Sequence, residues 1–259
     1  MTTRNSGNLV SDAVVLMAGA GSRLRPGGAA TAKPLIPVLG RPLICYTLEA
    51  IARAGVENVY IVVGFEREAV TAQVRPLIPS GVNVRFVNNP DWDRQNGISV
   101  LAVAGQVRAP FLLTMCDHLF DDAVVDALVR EAVRDEINLA IDRKLDSVFD
   151  LDDAMKVQTQ KNRIVSIGKS LATYDSIDTG VFVCADILFD YLNQAMREGD
   201  CSLADGVRLA AADGKARAID IEGAWWQDVD TPEMLRAAEK KLKSRIGHRI
   251  ATADARSGG

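Results

Sequence analysis

An apolar segment that ends at two closely spaced glycines constrains this chain more than any other feature. Residues 13–18 read Ala-Val-Val-Leu-Met-Ala, and Gly19-Ala-Gly21 follows them directly. A short run rich in Val and Leu is typical of a strand that is buried on both faces of a parallel sheet. Glycines after such a strand let backbone N–H groups approach an anion and tolerate positive φ angles. The segment therefore predicts a buried strand that opens into a phosphate-binding loop.

Two cationic residues follow the glycines, and their spacing differs from that of the common nucleotide motifs. Arg23 comes two residues after the second glycine, and Lys33 precedes a proline. A dinucleotide fingerprint requires glycine where this chain has Leu24, and no Walker Gly-Lys-Ser/Thr follows. The later 168–170 Gly-Lys-Ser also fails the Walker pattern, because Arg163 stands at its first glycine position.

The pattern Gly-x-Gly-x-Arg-Leu with a downstream Lys-Pro resembles nucleotidyltransferases, which join an NTP to a sugar phosphate or an alcohol phosphate. Taken alone, the glycines are equally compatible with a plain turn after a core strand. The resemblance implies that Arg23 and Lys33 are catalytic. It also implies that the nucleotide lies on the strand end and loop, at Leu16, Ala18, Gly19, Ala20, Gly21 and Ser22.

The bulk composition describes an ordinary globular chain and excludes several classes of protein. The 259 residues are 48% hydrophobic and carry a net charge of −4, with both signs interspersed, so nucleic-acid binding is not expected. The four cysteines form no C-x-x-C pair, which favours a reduced, cytoplasmic protein without a zinc ribbon. No apolar run approaches the roughly 18 residues that span a bilayer.

Strand and helix patterns alternate through the first half, which predicts an α/β fold with a mostly parallel central sheet flanked by helices. We expect one Rossmann-like domain over residues 1–259, with a core at about 11–243 and flexible tails at 1–10 and 246–259. The predicted strands cover 13–18, 57–64, 82–87, 111–116, 138–142, 154–159, 164–168, 181–184 and 215–221. The predicted helices cover 40–55, where Pro42 would take the first position, 66–74, 121–134, 186–197 and 203–212, and a last helix begins at 232.

Acidic and amide residues follow the predicted strands at the edge where ligands bind in open parallel sheets. Asp117 ends a buried strand beside the loop. A carboxylate facing a triphosphate needs a hard cation between them, so Asp117 is predicted to bind Mg²⁺ or, alternatively, to lie near a helix cap. In the resembled family the loop with Asn96, Gly97 and Ser99 edges the nucleotide base. A turn that caps the short helix is the alternative for these residues.

From Arg143 onward short strands and turns replace the alternating units and predict a small β-rich subdomain for the acceptor. The motifs Ile141-Asp-Arg-Lys, Asp152-Asp-Ala-Met-Lys-Val, Ile167-Gly-Lys-Ser-Leu and Ser176-Ile-Asp-Thr-Gly-Val-Phe resemble inositol-1-phosphate cytidylyltransferases. That resemblance implies acceptor contacts by Lys169, Asp178 and Thr179. In that family the domain is commonly fused to a membrane-embedded phosphotransferase, whose activity is not expected of this chain although it would use the product.

The last motif is Trp225-Trp-Gln-Asp-Val-Asp-Thr-Pro232, in which Thr231 is predicted to cap the final helix. The family's second metal-binding aspartate matches Asp228, so Asp117 and Asp228 together would bind Mg²⁺. We expect Asp230 to act as a capping partner rather than as a further ligand. We leave His118 out of the catalytic set, because an already ionised acceptor phosphate needs no general base.

Together these features predict an enzyme that converts CTP and inositol 1-phosphate to CDP-inositol and pyrophosphate with Mg²⁺. The alternatives are a cytidylyltransferase for phosphocholine, a phosphonate or a sugar 1-phosphate, and a regulatory subunit that senses nucleotide. The sequence contains no aromatic cluster that would bind choline, and it keeps Arg23, Lys33, Asp117 and Asp228, which a catalytically dead subunit would not need.

Overall fold

A computed structural model describes residues 10–24 and 31–257, with only the backbone described for residue 147 and for 246–257. Its strands are β1 Asp12–Leu16, β2 Pro37–Val38, β3 Arg41–Pro42, β4 Asn58–Val63, β5 Asn83–Asn88, β6 Phe111–Met115, β7 His118–Phe120, β8 Ile137–Asp142, β9 Lys156–Gln160, β10 Arg163–Gly168, β11 Ser176–Cys184, β12 Ala216–Asp220 and β13 Trp226–Asp228. Its helices are α1 Leu43–Arg53, α2 Arg67–Val74, α3 Asn96–Leu101, α4 Asp122–Glu131, α5 Ile187–Ala195, α6 Leu203–Ala212 and α7 Pro232–Ser257.

One nine-stranded sheet runs through both halves of the molecule in the order β5-β4-β1-β6-β11-β8-β12-β10-β9. The first four strands of this order are parallel to one another, as are β8 and β12. Between these two groups β11 runs antiparallel to both of its neighbours. The predicted α/β class with a mostly parallel sheet is confirmed, since seven of the nine strands run in one direction. β9 and β10 form an antiparallel hairpin at the far edge.

The sheet is buried on both faces because its central strands are mostly apolar. In β1, Val14 and Leu16 pack into the cluster that contains α5 and α6. The alternate residues Ala13 and Val15 pack into the opposite cluster, which contains α1 and α4. Side chains of successive strand residues point to opposite faces, so a continuous apolar run places helices on both sides.

Several boundaries differ from the sequence prediction. Pro42 ends β3 instead of opening the helix, and α1 begins at Leu43. β11 begins at Ser176, so the residues expected to open it lie inside the strand, at a shift in register between Asp178 and Phe182. Residues 1–9 of the predicted N-terminal tail lie outside the described residues. The predicted tail from 246 is helical as far as Ser257, where α7 ends.

Two small sheets beside the main sheet position the acidic residues. β7 and β13 pair antiparallel, with Asp228 opposite His118. Asp117 immediately precedes β7 and follows β6, so this pairing brings the two predicted metal ligands to one edge. In the described part of the chain, no helix combines the length and the apolar character needed to cross a membrane.

Candidate active site

Two adjoining cavities open at the carboxyl ends of β1 and β6. The first, which we call the loop cavity, has a volume of about 350 Å³. It is lined by Leu16, Met17, Gly19, Gly21, Ser22, Arg23, Lys33, Met115, Cys116, Asp117 and Asp230. Of the strand-end and loop residues predicted to hold the nucleotide, Ala18 and Ala20 are not in this lining. Ala18 is buried beneath it, where its carbonyl accepts a hydrogen bond from Phe65 N–H.

Gly21 is required by the way the loop meets Lys33. Its φ is +62°, and a Cβ at this position would lie 2.5 Å from the Cβ of Lys33. Both the backbone conformation and the close approach therefore exclude a side chain. The glycine predicted to expose backbone to phosphate also brings Lys33 against the loop.

A cluster of alternating charges occupies the floor of the loop cavity. Lys33 Nζ donates to carboxylate oxygens of both Asp117 and Asp230. Asp230 Oδ2 in turn accepts from Arg23 Nη2 at 2.7 Å. Burial alone would lower the pKa of Lys33, but the two carboxylates outweigh burial and raise it. The ammonium is therefore charged at any physiological pH.

Asp230 is the clearest departure from the sequence prediction at the site. Thr231, not Asp230, caps α7, because Thr231 Oγ1 accepts a hydrogen bond from Met234 N–H at 3.2 Å. The carboxylate of Asp230 points instead toward Lys33 and Arg23. The expectation that Asp230 serves as a capping partner was wrong. An acidic residue just before a helix can either cap the helix or pair with a distant cation, and the local sequence pattern does not distinguish these two roles.

Asp117 has a partner at each of its carboxylate oxygens. Oδ2 pairs with Lys33, and Oδ1 lies 2.6 Å from His118 Nδ1. Burial would raise the pKa of Asp117, but Lys33 and His118 lower it well below the usual range. His118 also stacks on the ring of Trp226. His118 is therefore held between Asp117 and Trp226, and it also lines the second cavity described below.

Asp228 differs from the other two carboxylates because no lysine or arginine pairs with it among the described residues. Burial, followed by the nearby charges of Asp230 and Asp117, raises its pKa, although His118 works in the opposite direction. A divalent cation at this place would relieve the repulsion, and carboxylate oxygens are the ligands that Mg²⁺ prefers. No group of three or more His, Cys, Asp or Glu within the described ranges could hold a metal by itself. The donor set fits a metal that is shared with phosphate oxygens.

The second cavity, which we call the hairpin cavity, has a volume of about 240 Å³ and lies between the loop cavity and the β9–β10 hairpin. Arg23, Met115 and Asp230 line both cavities and form their junction. Lys169 and Asp178 also line the hairpin cavity, as do apolar residues such as Phe182 and Leu203. Cations, carboxylates and apolar surface thus converge in one enclosed space, as is usual for sites that bind small polar molecules.

Asp178 and Thr179 are adjacent but have different surroundings. Asp178 Oδ1 accepts from Gly180 N–H at 2.6 Å, inside the irregular part of β11. Burial raises the pKa of Asp178 to about 6. The Gly180 hydrogen bond and the charge of His118 lower this pKa, but their effect is smaller than that of burial. Thr179 is fully buried and donates its hydroxyl to the Ala140 carbonyl at 2.8 Å. Its side chain therefore stabilises the sheet and does not line the hairpin cavity.

The three residues predicted to edge the base have packing contacts. Gly97 lets α3 approach α6 closely, since a Cβ there would lie 2.5 Å from the Cys201 carbonyl oxygen. Ser99 is buried and its Oγ accepts from Asn89 Nδ2 at 2.9 Å. Of the three, only Asn96 lines either cavity, and its Oδ1 also accepts from Leu203 N–H.

Asp153 is a site residue that the sequence prediction missed. Its Oδ2 accepts from Arg23 Nη1 at 3.0 Å, and its Oδ1 accepts from Lys169 Nζ at 2.5 Å. The 152–153 pair was noted only as part of a motif, and nothing in its spacing pointed to Arg23, which lies far away in the chain. The contact exists only because the hairpin folds over the loop.

A MobA-like NTP transferase domain matches residues 13–148, just over half of the chain. The chain belongs to this family. It is 35% identical over 92% of its length to the "Bifunctional IPC transferase and DIPP synthase" of Rubrobacter xylanophilus, of which it covers 53%. The protein of the same name from Aquifex aeolicus is 30% identical over 90% of the chain, which covers 52% of that protein.

The inositol-1-phosphate CTP transferase from T. maritima is similar in structure to this NTP transferase, with a TM-score of 0.79 and 28% sequence identity. The match covers 91% of this chain and 97% of that one. The predicted nucleotidyltransferase fold and enzyme class are thereby confirmed. The chain spans about half the length of the curated relatives it matches.

Proposed function

We propose that this NTP transferase converts CTP and inositol 1-phosphate to CDP-inositol and pyrophosphate. The observation that carries the proposal is the similarity to the T. maritima inositol-1-phosphate CTP transferase over nearly the whole of both chains. The two adjoining cavities also support a reaction between two phosphorylated substrates. Arg23 lies at their junction, Lys33 lines the loop cavity and Lys169 lines the hairpin cavity.

In the proposed reaction the nucleotide triphosphate lies in the loop cavity. Gly19 and Gly21 leave the backbone accessible, and Arg23 and Lys33 supply positive charge beside the phosphates. Arg23 holds the leaving pyrophosphate, and Lys33 steadies the transferring group. Both cations are in place before the reaction and would stabilise the negative charge of the transition state. Phosphoryl-transfer enzymes gain most of their rate in this way.

The acceptor is proposed to lie in the hairpin cavity, with its phosphate near Lys169 and its hydroxyls near Asp178. A compact ammonium suits a phosphate dianion, and an ionised carboxylate accepts hydrogen bonds from hydroxyls. An acceptor phosphate oxygen then attacks the α-phosphorus of CTP in line with the departing pyrophosphate. The ionised acceptor phosphate needs no general base.

Asp117 and Asp228 are the proposed ligands for Mg²⁺, which when bound would neutralise charge on the reacting phosphates. Lys33 and His118 hold Asp117 ionised and oriented for this task. We extend the proposal to a cytoplasmic site of action in phospholipid biosynthesis, with the product passing to a membrane phosphotransferase. The four free, buried thiols are consistent with a reducing compartment.

A pyrophosphate-release screen tests the proposal directly. CTP, UTP, ATP and GTP are each paired with inositol 1-phosphate, phosphocholine, glycerol 3-phosphate and a hexose 1-phosphate, with Mg²⁺ and with EDTA. We expect CTP with inositol 1-phosphate to have the highest kcat/KM. Its advantage over phosphocholine and glycerol 3-phosphate should be several orders of magnitude, because polar groups in the hairpin cavity would stay unpaired with those two acceptors. A higher kcat/KM for phosphocholine or a hexose 1-phosphate would refute the inositol assignment but not the transferase class.

A further inference from the structure

The carboxylate of Asp153 contacts one cation on each side of the site. Arg23 comes from the nucleotide loop, and Lys169 follows the end of β10 on the wall of the hairpin cavity. Asp153 Oδ2 accepts a hydrogen bond from Arg23 at 3.0 Å, and Asp153 Oδ1 accepts one from Lys169 at 2.5 Å. The hydrogen bond from Lys169, more than any other influence, lowers the pKa of Asp153, so this bridge is ionic.

A buried lysine fixes the position of this bridge. Lys156 is 9% exposed, and its Nζ donates to the carbonyl of Asp152 at 3.1 Å and to the carbonyl of Lys169 at 2.9 Å. The turn that carries Asp153 and the segment that carries Lys169 are therefore attached to the same ammonium. The bridge between Asp153 and Lys169 is a built feature of the hairpin, not a chance contact of two long side chains.

The two cations that Asp153 contacts are the ones assigned to substrate phosphates. A carboxylate and a phosphate both offer paired anionic oxygens to such donors. Asp153 therefore occupies, in the free protein, the electrostatic position that a phosphate would take. Its contacts are also easily broken, since the exposed fractions are 42% for Asp153, 52% for Lys169 and 56% for Arg23.

We propose that Asp153 is a competing carboxylate that holds Lys169 and Arg23 in the free enzyme and is displaced from Lys169 by the acceptor phosphate. The proposal rests on the proposed function only in taking the acceptor as a phosphate monoester. Asp153 keeps the two cations from repelling each other until substrates arrive. The affinity for acceptor is correspondingly lower than Lys169 alone would give.

Asp153→Asn tests the proposal, with Asp152→Asn as the matched control. Both variants remove one negative charge from the same turn, but within the described residues Asp152 is exposed and its side chain forms no ion pair. We expect Asp153→Asn to lower the acceptor KM by about two- to fivefold, the range for losing a competing exposed ion pair. Asp152→Asn should leave the acceptor KM unchanged. An acceptor KM that is unchanged or raised in Asp153→Asn would overturn the proposal.

A double-variant cycle separates competition from a general change in charge. In a Lys169→Ala background, Asp153 no longer has the Lys169 ammonium to compete for. Adding Asp153→Asn should therefore no longer lower the acceptor KM. The same decrease in both backgrounds would show that Asp153 acts through something other than Lys169, and the proposal would fail.

Binding of inorganic phosphate, measured by calorimetry without turnover, keeps this test independent of the acceptor's identity. Phosphate should bind the Asp153→Asn variant about two- to fivefold more tightly than the unmodified enzyme. If inositol 1-phosphate proved inactive while phosphate bound more tightly to the variant, the proposed function would fail and this inference would stand. Equal or weaker phosphate binding would overturn the inference whatever the acceptor is.

Discussion

Lys33 and Lys169 occupy comparable places in the two cavities but differ in how they are held. Lys33 has a side chain 11% exposed and pairs with two carboxylates that are themselves largely buried. Lys169 is 52% exposed and pairs with one carboxylate that is open to solvent. Lys33 is thus part of the folded interior of the site, whereas Lys169 is a surface cation that can exchange its partner.

The acidic residues of the two cavities differ in the same sense. In the loop cavity, Lys33 and His118 outweigh burial and lower the pKa of Asp117. In the hairpin cavity, burial raises the pKa of Asp178 to about 6, because the Gly180 hydrogen bond and the charge of His118 do not outweigh it. The carboxylate of the loop cavity is therefore held ionised by its neighbours, whereas that of the hairpin cavity is dominated by burial. In the proposed function, phosphate chemistry and acceptor selection would therefore be separated in space.

The largest expected effect is on turnover when either predicted metal ligand is neutralised. Asp117→Asn and Asp228→Asn should each lower kcat by about a thousandfold, because several kcal/mol of charge stabilisation would be lost. Circular dichroism should show a native fold. Asp122→Asn, which changes a surface partner of Arg53, is the control and should keep normal turnover. Near-normal kcat in Asp117→Asn or Asp228→Asn would exclude the shared-metal arrangement.

The next effect concerns stability and tests the contrast between the lysines directly. Lys33→Met leaves the carboxylates of Asp117 and Asp230 facing each other, and should lower the free energy of unfolding by about 3 kcal/mol. Lys169→Met removes an exposed pair and should change it by less than about 1 kcal/mol. Urea unfolding in EDTA measures both. Equal losses in the two variants would show that burial does not distinguish these lysines.

A smaller effect is expected on the apparent affinity for each substrate. Arg23→Ala should raise the KM for CTP, and Lys169→Ala should raise the KM for the acceptor, each by about tenfold or more, since a charge-assisted hydrogen bond contributes about 1.5–3 kcal/mol. Initial rates with each substrate varied in turn give the two KM values. The same pattern of defects in both variants would mean that the cavities are not separate substrate sites.

The smallest effect is the pH dependence that Asp178 gives to stability. The folded protein keeps this proton up to a pKa of about 6, whereas the unfolded chain releases it near pH 4. The free energy of unfolding should therefore fall as the pH rises from about 4 to 6, by about 1 kcal/mol for this partly exposed group. Asp178→Asn should remove that decrease. Asp117 acts oppositely, since its lowered pKa adds stability that is lost as the pH falls below 4.

Local sequence patterns were sufficient for the strand, the loop and the order of elements. The apolar run of β1, the positive φ of Gly21 and the cap at Thr231 all depend on residues that are neighbours in the chain. Backbone sterics and hydrogen bonding act at that range, so composition and spacing are enough to predict them. The alternation of such elements then limited the fold to an open α/β sheet.

Only the tertiary structure decided which charges meet. Asp230 is 197 residues from Lys33, and Asp153 is 130 residues from Arg23, yet each pair forms an ion pair. Gly97, which was predicted to edge the nucleotide base, packs closely against the backbone at Cys201. A side chain's polarity says that it needs a partner, but the partner is chosen by where the sheet and the helices place it. The sequence by itself therefore determined the local elements and the type of chemistry, and the docking of β7, β13 and the hairpin onto the loop determined the site.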